Sequence, residues 1–281
     1  MAFRQRKTDK LDFFYPVILY YVVSAAMNQL LLPYLYLISV DLVVLRGMTA
    51  VTGGVVIYLF FVYVPQKRQW ETERIDRSTS VSGAQPGAKS QRIFFRPVMA
   101  DVCKGLALAA VWLSCAGIAV NNLIAVSGLQ KLSGAYQQVE QAFYSSDLLC
   151  ELLVLGIITP FTEELLYRSV VYQRMRESYG AVTAVIGSSL IFALLHMNLV
   201  QIIYAFVLGL LLALLMERYQ DMRVPFVGHA AANIIAVLRG ETGFLSWLKQ
   251  GNPLFVPVTV VLAVVTIILA GCCIKSCKNE K

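Results

Sequence analysis

Long apolar segments follow one another through almost the whole of this 281-residue chain. A helix needs roughly 20 apolar residues to cross a bilayer, and eight segments are apolar enough to enter one. They run over residues 14–40, 42–64, 98–126, 148–178, 181–196, 199–216, 224–238 and 254–274. Inside lipid, only helices and closed barrels satisfy every backbone hydrogen bond. The sequence therefore predicts an all-α fold, a polytopic transmembrane helical bundle with about eight spans.

Composition and charge agree with a membrane location and argue against a nucleic-acid partner. Hydrophobic residues make up 58% of the chain and charged residues 15%, whereas a soluble domain is about half apolar and a quarter charged. The net charge of +7 comes from basic residues in the polar segments between spans, which is the pattern of cytoplasmic loops. An even number of spans places these segments on one side, so we expect both termini in the cytoplasm.

Polar segments divide the chain into three regions. Residues 1–128 form an N-terminal transmembrane region with a polar cytoplasmic linker at 65–96, whose Ser, Gly, Ala and Pro content predicts a flexible loop. Residues 147–240 form a core that contains every motif described below. Residues 241–281 contain a loop, the last span and a basic C-terminal tail.

Two adjacent carboxylates and an arginine interrupt the fourth apolar segment. Glu163, Glu164 and Arg168 lie within six positions, although each charge at the membrane centre costs roughly 2.5–3.5 kcal/mol on insertion scales. Glu164 and Arg168 are four residues apart, so on a helix they share a face and can pair. Pro160 favours the first position of a helix and Thr159 favours the N-cap. We therefore expect this helix to be broken at Pro160, as helices that line a membrane-embedded site often are.

The two histidines of the chain both lie in apolar segments further on. Phe192 and His196 are four residues apart, and so are His229 and Asn233, which places each pair on one helix face. Glu163 lies about 17 residues before the turn at Gly180, and His196 lies 16 residues after it. If the two helices are antiparallel, both residues therefore lie at nearly the same depth in the membrane. His229 lies only about 8 residues after the next turn on that side, near Gln220. It would therefore lie roughly 10 Å closer to the membrane surface than Glu163, unless the turns between the helices protrude unequally.

Over about residues 147–240, the chain resembles the CPBP family of intramembrane proteases. This family is also called the CAAX protease and bacteriocin-processing family, or the Abi family. It includes the Ras-converting CAAX endopeptidase, also named CAAX prenyl protease 2, and lysostaphin resistance protein A-like membrane proteins. The resemblance is carried, in chain order, by Glu163-Glu164-x-x-x-Arg168, Phe192-x-x-x-His196 and His229-x-x-x-Asn233. It implies an intramembrane endopeptidase that hydrolyses a peptide bond of a membrane-associated protein or peptide.

The resemblance also implies a role for each residue. Glu163, together with His196, would activate a water for attack on the peptide carbonyl, since a carboxylate needs a second group to orient the water. His229 and Asn233 would stabilise the oxyanion that forms. The residues with a structural role around this catalytic set would be Glu164, Arg168 and Phe192.

A zinc site is the competing chemistry. Glu163, His196 and His229 supply residue types that hold a catalytic zinc ion, although the chain contains no HExxH motif. We favour hydrolysis that needs no cofactor and keep zinc as the alternative.

Three classes of function remain open from the sequence. The first is the endopeptidase, and the second is a non-proteolytic membrane scaffold or bacteriocin-immunity factor on the same fold. The third is a transporter, because broken helices and buried charges also mark transport sites, although the chain shows no inverted repeat. The compact chain suggests the plasma membrane of a bacterium. Nothing in the sequence requires the substrate to be prenylated.

Overall fold

A computed structural model describes residues 11–38, 41–67, 99–132, 134, 147–196 and 198–279. These residues form eight helices, one short helical turn at Leu129–Leu132 and no strand, which confirms the all-α helical bundle. Most of the predicted linker at 65–96 lies outside the described residues.

We label the helices in chain order. They are α1 Phe14–Ile38, α2 Leu42–Ile57, α3 Met99–Ser127, α4 at residues 148–179, α5 Ala181–Leu194, α6 Leu199–Tyr219, α7 Arg223–Glu241 and α8 Phe255–Asn279. By length and composition, five helices of the described ranges can cross a membrane, namely α1, α2 with its continuation, α3, α6 and α8. The chain is therefore an integral membrane protein, and eight remains the predicted number of spans.

Helix α4, which carries the acidic motif, is helical throughout, but its hydrogen-bond pattern alternates. The segments Val154–Ile158 and Leu165–Tyr172 are π-helical, and the rest is regular α-helix. Proline lacks an N–H and its ring clashes with the carbonyl four residues earlier, so the predicted break at Pro160 takes the form of a wider turn directly before it. Thr159 has helical dihedral angles, with φ −62° and ψ −52°, and is not the predicted N-cap.

Helices α5 and α6 form a hairpin with His196 at its tip. Helix α5 has 14 residues, which span about 21 Å and fall short of a hydrocarbon core of roughly 30 Å. It ends at Leu194, and Asn198 caps α6 by accepting a hydrogen bond from the backbone N–H of Gln201. His196 therefore lies in the turn between the helices and not on the helix as predicted, because the cap of α6 begins only two residues later.

The turn between α6 and α7 lies deeper in the bundle than the turn between α4 and α5. Glu217, near the end of α6, accepts a hydrogen bond from the Tyr172 hydroxyl and pairs with Arg176 at 2.6 Å. The end of α6 therefore contacts α4 one to two turns before Gly180. Because α7 starts from this deeper turn, the offset of roughly 10 Å that equal turns would give to His229 disappears.

Helices of the N-terminal region pack directly on the core. Gly228 of α7 lies close against α3: a Cβ atom added at Gly228 would be 3.1 Å from Leu113 Cγ. Trp112 of α3 is fully buried and donates from Nε1 to the Thr266 carbonyl of α8 at 3.2 Å. Helices α3, α7 and α8 are thus held together around one side of the site described next.

Candidate active site

Two cavities enter the bundle and meet at the predicted site residues. The larger, of about 550 Å³, lies among α3, α4, α6, α7 and the segment after α7, and the smaller, of about 450 Å³, lies among α1, α2, α4 and the α5–α6 turn. His229 and Asn233 line the larger cavity. Both cavities are lined by Arg46, Thr159, Glu163, Phe192, His196 and Gln201. The structure thus brings Glu163, His196, His229 and Asn233 around one space.

The His229 ring lies between the two adjacent carboxylates. Its Nδ1 is 2.9 Å from Oε1 of Glu164, and its Nε2 is 3.7 Å from Oε2 of Glu163. A carboxylate oxygen only accepts hydrogen bonds, so Nδ1–H donates to Glu164. The distance to Glu163 exceeds that of a direct hydrogen bond. Glu164 therefore fixes the ring, and Nε2 faces Glu163.

The predicted pair of Glu164 and Arg168 is present and completely buried. Arg168 Nε lies 3.2 Å from Oε2 of Glu164, and neither side chain is exposed. Arg168 Nη2 also donates to the Gly209 carbonyl at 3.4 Å. A buried charge is costly unless an opposite charge lies beside it. Arg168 supplies that charge as an ion pair, although Arg168 Nε and Glu164 Oε2 are not aligned for a hydrogen bond. Glu164 is consequently engaged on both oxygens, one by His229 and one by Arg168.

Phe192 packs against both histidines. Its ring centroid lies 4.9 Å from that of His196 and 5.9 Å from that of His229, and both pairs are edge-to-face. The Arg168 guanidinium lies over the same ring, 5.3 Å from its centroid. Such contacts restrict ring orientation as well as burying surface. Phe192 therefore restricts the orientation of both histidine rings.

His196 presents one ring nitrogen that is free to accept a hydrogen bond. Its Nδ1 is 2.9 Å from the Phe192 carbonyl oxygen. Because a carbonyl only accepts, Nδ1 carries the hydrogen, and Nε2 of the neutral ring holds a lone pair. A lone pair beside a carboxylate is what a water-activating pair requires.

Asn233 is oriented by the π-helical segment of α4. Its Nδ2 donates to the Leu155 carbonyl at 3.0 Å. In a π-helix that carbonyl would bond to the residue five positions later, which is Pro160 and has no N–H. Gly156 permits the close approach, because a Cβ atom there would lie 2.8 Å from a side-chain carbon of α7. One N–H of the Asn233 amide is thus used by α4, and the amide has a second to donate.

Arg46 of α2 is the residue at the site that sequence reasoning missed. Its Nη2 lies 3.8 Å from Oε1 of Glu163, and its side chain lines both cavities. The N-terminal region carries no recognisable motif. The signal in the sequence was a lone arginine near the start of an apolar segment, where a charge is costly and functional by default.

The three residues that could hold zinc, Glu163, His196 and His229, all line the larger cavity. Within the described ranges, no three His, Cys, Asp or Glu side chains are grouped so that they could hold a metal ion. The Nδ1 atoms of His196 and His229 are engaged by the Phe192 carbonyl and Glu164, which leaves Nε2 of each ring as the atom that could bind a metal.

Comparison with known proteins gives a match to a family model over part of the chain. The family model described as Rce1-like, type II CAAX prenyl endopeptidase, matches residues 145–235. No curated protein and no solved structure matches the chain. The matched range contains the three motifs, whereas Arg46 lies outside it.

Proposed function

We propose that this membrane protein is an active intramembrane endopeptidase, because residues 145–235 match the family model described as Rce1-like, type II CAAX prenyl endopeptidase. Its substrate is a membrane-associated protein or peptide, which reaches the site from the lipid bilayer. The observation that carries the proposal is the junction of two cavities at Glu163, His196 and Arg46. An extended peptide lying through both cavities would place its scissile bond beside the carboxylate.

In the first step, Glu163 acts as the general base. A water donates one hydrogen bond to the carboxylate and the other to Nε2 of His196, so that its oxygen lone pair faces the peptide carbonyl. As the C–O bond forms, the water proton passes to Glu163 and the carbonyl π electrons move to the oxygen. The result is a tetrahedral intermediate with an oxyanion.

The oxyanion is stabilised from the α7 side. The second N–H of Asn233 donates to it, and His229 donates from Nε2 when both ring nitrogens are protonated. In that state Glu164 accepts from Nδ1 and is itself held by Arg168. Donors that are fixed before the reaction stabilise developing charge without reorganisation.

In the last step, the tetrahedral intermediate collapses. The C–N bond breaks, the oxyanion reforms a carbonyl, and the proton on Glu163 passes to the leaving nitrogen. The balance is one water consumed, with a new carboxyl terminus and a new amino terminus released. No group beyond these side chains and the water enters the balance.

The decisive test compares cells that produce the wild-type protein, Glu163→Gln or Glu241→Gln. Glu241 is exposed, lies at the end of α7 and lines neither cavity, so its variant is the matched control. We expect peptide termini in the membrane fraction that depend on wild type or Glu241→Gln and vanish with Glu163→Gln, as measured by mass spectrometry of terminal peptides. Identical sets of termini in all three would instead support the non-proteolytic scaffold or immunity factor.

A further inference from the structure

We propose that Arg46 is a positioning residue, which holds the Glu163 carboxylate in its reactive orientation. The inference rests on the proposed function, because it takes Glu163 as the general base. It makes α2, which lies outside the residues that match the family, a part of the active site.

The two oxygens of Glu163 face two different groups. Oε1 lies 3.8 Å from Arg46 Nη2, and Oε2 lies 3.7 Å from His229 Nε2. Contacts on both oxygens fix the plane of a carboxylate, whereas a contact on one leaves the terminal torsion broad. Arg46 therefore supplies half of what orients Glu163.

The neighbouring carboxylate shows why a cation of this kind is needed. Glu164 is fully buried, with a hydrogen-bond contact of 2.9 Å from His229 on Oε1 and an ion-pair contact of 3.2 Å from Arg168 on Oε2. The Glu163 side chain is 15% exposed, and both of its contacts are longer. Glu163 is thus open enough to exchange a proton with water. Electrostatic attraction to Arg46 holds the carboxylate in place but leaves its oxygens able to accept a hydrogen bond from water.

Arg46 also places a second guanidinium at the site, so that the two carboxylates lie between two arginines. The order in space is Arg46, Glu163, His229, Glu164 and Arg168. Each carboxylate then has a guanidinium on one side and shares the imidazole on the other. Without Arg46, Glu163 would face another carboxylate across a single ring, and like charges at that range repel.

Packing of α2 on α4 provides a separate observation for the same role. A Cβ atom at Gly47 would lie 2.9 Å from Val154 Cγ2, and one at Gly54 would lie 3.1 Å from Thr162 Cγ2. These glycines are two helical turns apart on one face of α2, and small residues let membrane helices approach closely. The close contact places Arg46, the residue before Gly47, opposite Glu163.

The experiment uses purified full-length protein in phosphatidylcholine vesicles, with two internally quenched CAAX peptides, one prenylated and one not. We expect Arg46→Ala to lower kcat by up to about 10²-fold, the cost of misplacing a reacting group by about 1 Å, with little change in KM or in Tm. Arg46→Lys should recover part of the loss. The control is Arg223→Ala, because Arg223, the first residue of α7, pairs with Asp221 at 2.6 Å and lines neither cavity.

Chemical rescue separates positioning from a merely structural role. The Arg46 side chain is 37% exposed and lines two cavities, so a small cation can reach the space that alanine leaves. Ethylguanidinium should restore turnover by Arg46→Ala, whereas urea, which is similar in shape but neutral, should not. A variant that only disturbed the fold would respond to neither.

The outcomes are distinguishable. Wild-type kcat in Arg46→Ala, equal rescue by urea, or a change confined to KM would overturn the positioning role and leave the endopeptidase intact. Glu163→Gln is assayed in parallel. If its rates equal those of wild type on both peptides, including rates of zero, the proposed function itself fails for CAAX peptides, and the role of Arg46 fails with it.

Discussion

At the residue scale, Glu163 and Glu164 are adjacent in sequence but differ in environment. Glu164 is completely buried between His229 and Arg168, whereas Glu163 borders both cavities. We expect Glu164→Gln to lower the free energy of unfolding by roughly 3–5 kcal/mol, because it strands the buried Arg168 charge. Glu163→Gln should unfold like wild type and lose activity. Thermal unfolding in detergent, measured beside turnover, checks both, and an equal loss of stability in the two variants would contradict this division.

The histidines and Asn233 distinguish the two possible chemistries. Without a metal, His196→Ala should be almost inactive, since it removes the group that orients the water. Asn233→Ala should retain activity lowered by about 10²–10³, which is typical for loss of one oxyanion donor. With zinc, His196→Ala and His229→Ala should lose bound metal and activity together, and Asn233→Ala should keep its metal. Elemental analysis beside turnover decides, and one zinc per active chain that is lost in both histidine variants would contradict the metal-free mechanism.

At the element scale, α4 shows how an unfavourable residue can serve the site. Pro160 leaves the Leu155 carbonyl free for Asn233, at the cost of a regular helix. Pro160→Ala restores a backbone N–H, so we expect a higher Tm, together with a kcat lowered by about 10- to 10²-fold as Asn233 loses its partner. Ala184→Gly, in the buried interior of α5, is the control for helix propensity and should lower Tm alone. Unchanged kcat in Pro160→Ala would exclude the orienting role.

Sequence periodicity predicted the helices and one ion pair because the relevant spacings are local, whereas the catalytic set was predicted from the resemblance to a known family. The apolar segments set the helix positions, and spacing of four residues predicted the pair of Glu164 and Arg168. Contacts between distant segments were not predictable in this way. The approach of Arg46 to Glu163 depends on glycines of α2 fitting against α4, and the level of His229 depends on how Glu217 is held by Tyr172 and Arg176. Both are set by tertiary packing, which leaves no periodic pattern in the sequence.

At the scale of the whole molecule, the N-terminal region and the matched region share one site. Glu163 and His229 come from helices of the matched range, and Arg46 comes from α2. The smaller cavity is bounded on one side by Tyr20 and Tyr21 of α1. Residues 147–240 alone would therefore lack one wall of the site, so expression of that region by itself is a poor substitute for the full chain.

Orientation in the membrane determines from which side the larger cavity opens. Its lining includes Arg239, Gly240, Lys249 and Gln250, which lie at or after the C-terminal end of α7. Arg174 and Arg176, near the C-terminal end of α4, lie on the other side of the bundle. The excess of basic residues at the latter end and at both termini predicts that this side is cytoplasmic. A reporter fused after Lys281 should then be active in the cytoplasm, and one inserted at residues 243–251 should be active only outside. A cytoplasmic signal from the insertion would contradict both the even number of spans and an external opening of the larger cavity.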